Sequence, residues 1–285
     1  MILAASNGLP GLGRVAAWFD DSTNWWGPSG LLARLDEHVV YSLVLVVAAV
    51  VVALPLGLVI GHTGRGVAAL AGIANGLRAI PSLGLLLFLI VLLSPRVHVT
   101  SGFSSLVARG SVPYLIPAMI VLVVVAVPPI LTSTYAGVQA VDADVRDAAR
   151  GAGMSPLQVV AKVELPCALP LVMSGIRNAT LEVIATLTVA AYAPLVGGLG
   201  RLIVDGDQDL SDPRYGYPAM VAAAITIAVL ALVADTLLAF VQRSIVSPGI
   251  SGRYATNGPF KRILIRNPIH VTAGHPSSAA AQGGR

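Results

Sequence analysis

Residues 39–61 run for 23 positions without one charged side chain, and that run constrains the chain more than any other feature. A helix needs about 20 apolar residues to cross the hydrocarbon core of a bilayer. Inside lipid the backbone must satisfy its own hydrogen bonds, so such a run is read as a membrane-spanning helix. It has company. Residues 114–141 are also uncharged, 216–241 hold only Asp235, 183–200 are uncharged, and 66–95 are apolar apart from Arg78. With 55% hydrophobic and 11% charged residues and a mean hydropathy of +0.81, an ordinary soluble domain is excluded. The fold class is all-α, a polytopic membrane protein.

Five crossings are expected, at about 38–61, within 66–94, and at about 113–136, 170–195 and 217–242. Pro55 and Gly57 near the end of the first imply a bend or a close helix contact. The second stretch would be about 43 Å long as one helix, too long for one straight crossing. Arg78 and Pro81 interrupt it, so a broken element is expected: a short helix over 66–78, then a main helix over about 82–93. Two full crossings there, giving six spans, is the alternative.

Residues 1–37 lack the basic start and apolar centre of a signal peptide. Their Trp25–Trp26 pair points to an extracytoplasmic segment lying at the membrane interface, with a floppy leader as the plainer alternative. The transmembrane domain then covers 38–246. The tail, 247–285, is rich in Gly, Pro, Ser and Ala and is read as a disordered cytoplasmic extension. The lone Cys167 rules out an internal disulfide, and five scattered histidines offer no metal-ligand spacing. Five crossings place 62–65, 137–169 and the tail on one side. Positive-inside counting favours that side as cytoplasmic, which puts the N-terminus outside.

On that cytoplasmic side lies "DADVRDAARGAGMSPLQVVAKVELP", residues 142–166. Its first part is a charged, alanine-rich helix ended by Gly151 and Gly153. Ser155, Pro156 and Gln158 restart a helix, as N-cap, first-turn proline and capping-box partner. That second helix presents Leu157, Val160 and Val163 at helical spacing and is expected to stop before Pro166. A charged helix pair with a small apolar face suits docking into another protein's groove. The plain alternative is a solvated loop that happens to be helical.

The spacing Asp147-Ala148-Ala149, Gly153, Val163 and Leu165-Pro166 resembles the signature loop of ABC importer permeases, Glu-Ala-Ala-x3-Gly-x9-Ile-x-Leu-Pro. Asp147 replaces the glutamate and Val163 the isoleucine. The stretches "ANGLRAIPSLGLL", "ATLTVAAYAPLVGGLGRLIVDG" and "ADTLLAFVQRSIVSPG" look like permease subunits of osmoprotectant importers, those for glycine betaine, carnitine, choline and proline, with the methionine-importer-like membrane fold. The resemblance covers about residues 39–249. It implies an importer-type permease core of five spans, cytoplasmic ABC ATPase subunits, a second permease subunit that is a copy or a homologue, and an extracytoplasmic substrate-binding protein. It implies no cofactor of this chain's own, ATP and Mg being held by the ATPase subunit. The residues it assigns to ATPase coupling are Asp147, Ala148, Ala149, Gly153, Ser155, Pro156, Leu157, Val160, Val163, Leu165 and Pro166. The implied location is a bacterial cell membrane, and the cargo is a small osmoprotectant.

Other functions are weighed against this. An amino acid or thiol-betaine permease of the same fold is the near alternative. An intramembrane enzyme would need a paired or triad pattern that the spans do not show. A passive channel would have no use for the helix pair. The sequence carries no GxxxxGK[ST] phosphate loop, so a self-powered pump is not expected. Intramembrane charges are costly and face a bundle interior or a cavity. Arg78, Pro81, Ser82, Glu182 and Asp235 are therefore candidates for the translocation path or gate, with interhelical ion pairing as the alternative for the charged ones. Quaternary ammonium ligands favour aromatic cages, and with 5% aromatics the chain is expected to leave high-affinity binding to the partner binding protein.

Overall fold

The computed structural model describes residues 11–70, 72, 76, 81–93, 95, 112–193 and 196–246. The chain divides into two units, Met1–Val246 and Ser247–Arg285, and every element below belongs to the first. Arg78 and the tail lie outside the described residues. Among the described residues these α-helices follow one another: α1 (Leu12–Asp20), α2 (Leu31–Thr63), α3 (Ser82–Leu93), α4 (Val112–Gln139), α5 (Ala143–Gly151), α6 (Pro156–Val159), α7 (Leu165–Ala190), α8 (Leu199–Gln208) and α9 (Gly216–Ile245). A π-helical turn, Val160–Glu164, joins α6 to α7.

Among the described residues four helical stretches are long and apolar enough to cross a membrane: Leu31–Thr63, Tyr114–Gln139, Pro156–Ala190 and Gly216–Ile245. The fifth apolar segment is α3, whose 12 residues reach only about 18 Å. The break expected in the second span is present. Residues 67–70, 72 and 76 are helical, and Pro81 opens α3, its carbonyl accepting the Leu85 N–H at 2.9 Å. Proline suits that place because the first turn of a helix needs no N–H there.

The bundle is built around α4. On α2, Leu45, Ala49, Ala53, Gly57 and Gly61 are all buried, one residue every four, which forms a single ridge along the helix. The ridge ends in glycines because α4 comes too close for anything larger. A Cβ on Gly57 would lie 2.7 Å from the Thr134 Cβ, and one on Gly61 2.6 Å from the Val138 Cβ. A neighbouring face of α4 meets α7 in the same way. A Cβ on Gly175 would lie 2.6 Å from that of Ser133 and 2.9 Å from the Pro129 carbonyl. In lipid, where burial of apolar groups gives little drive, such close backbone contact is what holds helices together. Pro55 sits inside α2 without ending it, so of the two expectations for Pro55 and Gly57 the close contact is the one found at Gly57.

The end of the bundle remote from α5 has a second core, which the sequence did not announce. Trp18, Leu31, Leu199, Leu202, Ala219, Ala222 and Ala223 are buried together. Thus α1 packs against α8 and α9, and α2 starts seven residues before the expected position, at Leu31. The turn after α1 is knitted by side chains. Asn24 and Trp25 donate to the Trp18 and Phe19 carbonyls at 2.9 and 2.7 Å, capping the orphan acceptors of the helix end. The Thr23 hydroxyl and N–H both donate to Asp21 Oδ1, which holds that carboxyl below its ordinary value.

Helix α8 was also unforeseen, since residues 198–216 read as a loop. Gly198 adopts φ +87°, a left-handed conformation that favours glycine. Its N–H donates to Glu37 Oε2 at 2.8 Å, and the Leu199 N–H donates to His38 Nδ1 at 3.2 Å. His38 Nε2 is 3.2 Å from the Ile184 carbonyl. With Nδ1 accepting, Nε2 carries the proton, so one fully buried histidine fastens α2 to α7 and to the start of α8.

The Gly61 contact is the tightest test of this packing. Gly61→Leu forces α2 and α4 apart, and overpacking of this kind costs about 1–3 kcal/mol. The variant is expected to melt several degrees below the parent in detergent, whereas Val59→Leu, on an exposed face, should leave the midpoint unchanged.

Candidate coupling site

The segment between α4 and α7 folds as local chemistry directs. Asp142 caps α5, its carboxylate accepting the Asp144 N–H at 3.0 Å. At the other end the Met154 N–H bonds to the Ala149 carbonyl and the Gly153 N–H to the Arg150 carbonyl, at 3.2 and 2.9 Å. This pair is a Schellman cap, which needs a left-handed residue just past the helix. Gly153 supplies it with φ +83°. Ser155 and Gln158 then form the reciprocal capping box expected of them, and Pro156 takes the first helical position.

One expectation fails. The second helix does not stop before Pro166; it runs through the π-turn Val160–Glu164 into α7, so that Pro156–Ala190 is one continuous helical stretch. Proline in a helix clashes with the carbonyl four residues earlier. The wider turn just ahead of it, in which the Leu165 N–H reaches back to the Val160 carbonyl, relieves that clash.

The apolar face also differs from the spacing argument. Leu157 is 77% exposed, but Val160 and Val163 are half-buried, and the buried residue is Val159. The π-turn rotates the later residues out of the register that an unbroken α-helix would give. Asp147, Ala148, Gly153, Ser155 and Pro156 are exposed, Ala149 is buried, and Leu165 and Pro166 are half-buried. The surface is therefore a knob tipped by Leu157, with Val145 also exposed. Asp147 contacts Arg150 at 3.1 Å with both side chains well exposed, so this pair contributes little.

Beneath the knob lies a buried cluster that the sequence reading missed. Glu164, in the π-turn, is fully buried. Its Oε2 is 2.9 Å from His62 Nδ1 near the end of α2, and its Oε1 is 3.0 Å from Arg146 Nε on α5. Arg146 also donates through Nη2 to the Val138 carbonyl of α4, and Gln139 Nε2 donates to the Gly61 carbonyl at 2.6 Å. A signal was present. Glu164 stands four and eight residues before Ala168 and Val172, both buried, so this charge falls in line with an apolar row.

The candidate path residues are dispersed. Asp235 on α9 accepts from Arg177 on α7 through both carboxylate oxygens, at 2.7, 2.8 and 2.9 Å. Arg177 also bonds to Gln242 at 3.4 Å, and Gln242 donates to the Pro170 carbonyl at 3.3 Å. Glu182 is half-buried on α7, Pro81 is exposed and Ser82 begins α3. Asp235 is thus placed in an interhelical ion pair.

A bundle of long apolar helices with an exposed helix pair between α4 and α7 has the architecture of a multi-pass membrane protein. Residues 53–247 match the family described as binding-protein-dependent transport system inner membrane component, and the chain belongs to that family. It is 34% identical over 220 residues to the choline transport system permease protein OpuBB of Bacillus subtilis (strain 168), covering 77% of this chain and 90% of that one. It is 32% identical over 222 residues to the glycine betaine/carnitine/choline transport system permease protein OpuCB of the same organism, covering 78% and 91%. The carnitine transport permease protein OpuCB of Listeria monocytogenes is 32% identical over 208 residues, covering 73% and 84%. Among solved structures, an inward-facing form of the MetNI methionine ABC transporter matches with a TM-score of 0.60 at 22% identity, covering 76% of this chain and 96% of that one. The fold is shared with that transporter, and the resemblance to osmoprotectant permeases drawn from the sequence holds.

The cap geometry predicts the behaviour of Gly153 variants. A Cβ there meets nothing within 4 Å, so the whole cost is backbone strain, about 1–2 kcal/mol for an ordinary side chain in the left-handed region. Gly153→Val should insert normally but lose most transport activity, while Gly153→Asn, which tolerates that conformation, should keep most of it. Full activity of the valine variant would remove Gly153 from the coupling site.

Proposed function

We propose that this chain is the membrane-spanning permease subunit of a binding-protein-dependent ABC importer for a small osmoprotectant such as glycine betaine, carnitine, choline or proline betaine. ATP hydrolysis occurs in separate cytoplasmic subunits, which hold ATP and Mg, and this subunit is not itself an enzyme. A second permease subunit, identical or homologous, completes the path, and an extracytoplasmic binding protein delivers the cargo. The N-terminus lies outside and the C-terminus in the cytoplasm of a bacterial cell. The names of the relatives support the cargo class. A same-fold permease for an amino acid or a thiol betaine is the second reading.

The observation that carries the proposal is the knob. Leu157 is 77% exposed in a helix pair capped at both ends of α5 and at the start of α6, so it is a rigid apolar projection into water. Burying such a side chain in a partner's groove is worth roughly 1.5–3 kcal/mol, or about 10- to 150-fold in affinity. Asp144, Asp147 and Arg150 keep its surroundings hydrated, and the capped geometry lowers the ordering cost of docking.

Leu157→Asp is therefore expected to lose the ATPase on co-purification while the permease stays folded in detergent. Retention of the ATPase by that variant would overturn the role of the knob. Sidedness has its own test. In a Cys167→Ser background, single cysteines at Ser155 or Gln158 should react with an impermeant maleimide only from the cytoplasm, and one at Gln208 only from outside. The reverse pattern would invert the assignment.

A further inference from the structure

The knob is useful only if force on Leu157 reaches the spans, and apolar contact alone does not ensure this. Dispersion and burial are non-directional, so a helix seated only by Val159 and Ala149 could slide. Glu164 removes that freedom. It is fully buried, and each carboxylate oxygen is engaged by a different element, His62 of α2 at 2.9 Å and Arg146 of α5 at 3.0 Å. Arg146 extends the tie to the Val138 carbonyl of α4, and Gln139 joins α4 to the Gly61 carbonyl of α2 at 2.6 Å. Glu164 itself belongs to the continuous helix that becomes α7. One carboxylate therefore fastens α5, α2, α7 and, through Arg146, α4. A buried charge separated from its partners is strongly unfavourable, so the joined elements have no low-energy way to part.

We infer that Glu164, with Arg146 and His62, is a positioning cluster that makes the knob and the adjoining ends of α2, α4 and α7 move as one body during the transport cycle. The inference rests on the reading of the knob as the ATPase-docking element. None of the three side chains touches cargo or ATP; they act by fixing the direction in which the knob can push. The hydrogen bonds of His62 to Glu164 and of Arg146 to the Val138 carbonyl suit this task because their geometry is directional, and the Arg146 ion pair holds the carboxylate by charge.

Spin labels on cysteines replacing Val59 of α2 and Ala152 beside the knob, both exposed, test the tie in a Cys167→Ser background. The interval is measured by electron paramagnetic resonance in the permease alone and in its complex with the ATPase, without nucleotide and with ATP and vanadate. In the parent the distance distribution should be narrow and unchanged by nucleotide. In Glu164→Gln it should at least double in width, with the ATPase still co-purifying. His62→Gln, at the more accessible edge of the cluster, should widen it too, and it preserves the test if the Glu164 variant does not fold. A merely structural role would lower yield and melting temperature but leave the width unchanged in the folded fraction. A parent interval that shifts on ATP binding, or variants as narrow as the parent, would overturn the inference. Failure of the parent to bind the ATPase would instead sink the docking reading, since the width is still read in the permease alone.

Discussion

The structure depends on how closely α2 and α4 approach. Two helices in lipid gain little from hiding apolar side chains from each other, because the lipid is as apolar as they are. They gain from contact that lipid chains cannot match, and Gly57 and Gly61 against Thr134 and Val138 provide it. Everything else is arranged around that line. With one face of α4 taken by α2, Gly175 of α7 closes on the adjacent face at Ser133 and Pro129. The three helices then present His62, Val138 and the start of α7 at one end, where the Glu164 carboxylate meets His62 directly and is tied to Val138 through Arg146.

The bundle's charges follow from the same economy of contact. Arg177 and Asp235 cross between α7 and α9 as a bidentate pair, which satisfies two groups that lipid would punish. Replacing a buried ion pair by well-packed apolar groups is often neutral or stabilising. Stability alone therefore gives weak reason for such a pair. Its geometric effect is clearer: it fixes the rotation of α9 against α7, as the Gln242 bond to the Pro170 carbonyl also does.

Much of this was legible in the sequence, and the failures have physical causes. Uncharged runs located the long helices, and the proline at 81 located the break before α3. Short-range chemistry was legible too, since the caps at Gly153 and Ser155 depend on residues within a few positions. What could not be read were contacts between residues far apart. His62 and Glu164 are 102 positions apart, and His38 looked like one of several scattered histidines until Leu199 was brought to it. The outer core of Trp18, Leu199 and Ala219 was hidden likewise, because α8 has a short amphipathic pattern that passes for a loop between spans. The helix stop before Pro166 was misjudged because proline's clash can be relieved by a wide turn as well as by a break.

That wide turn has a consequence for how the chain tolerates change. A π-turn holds one residue more than an α-turn, and each residue turns a helix by about 100°. Deleting one residue from 160–164 would keep the helix and its hydrogen bonds while swinging everything before it by about that angle. Val159 would leave its buried seat and Leu157 would face a new direction, although every side chain of the knob would still be present. The length of this segment is therefore an angular setting, as exacting as the identity of its residues. A chain of this architecture could keep its composition and lose its aim.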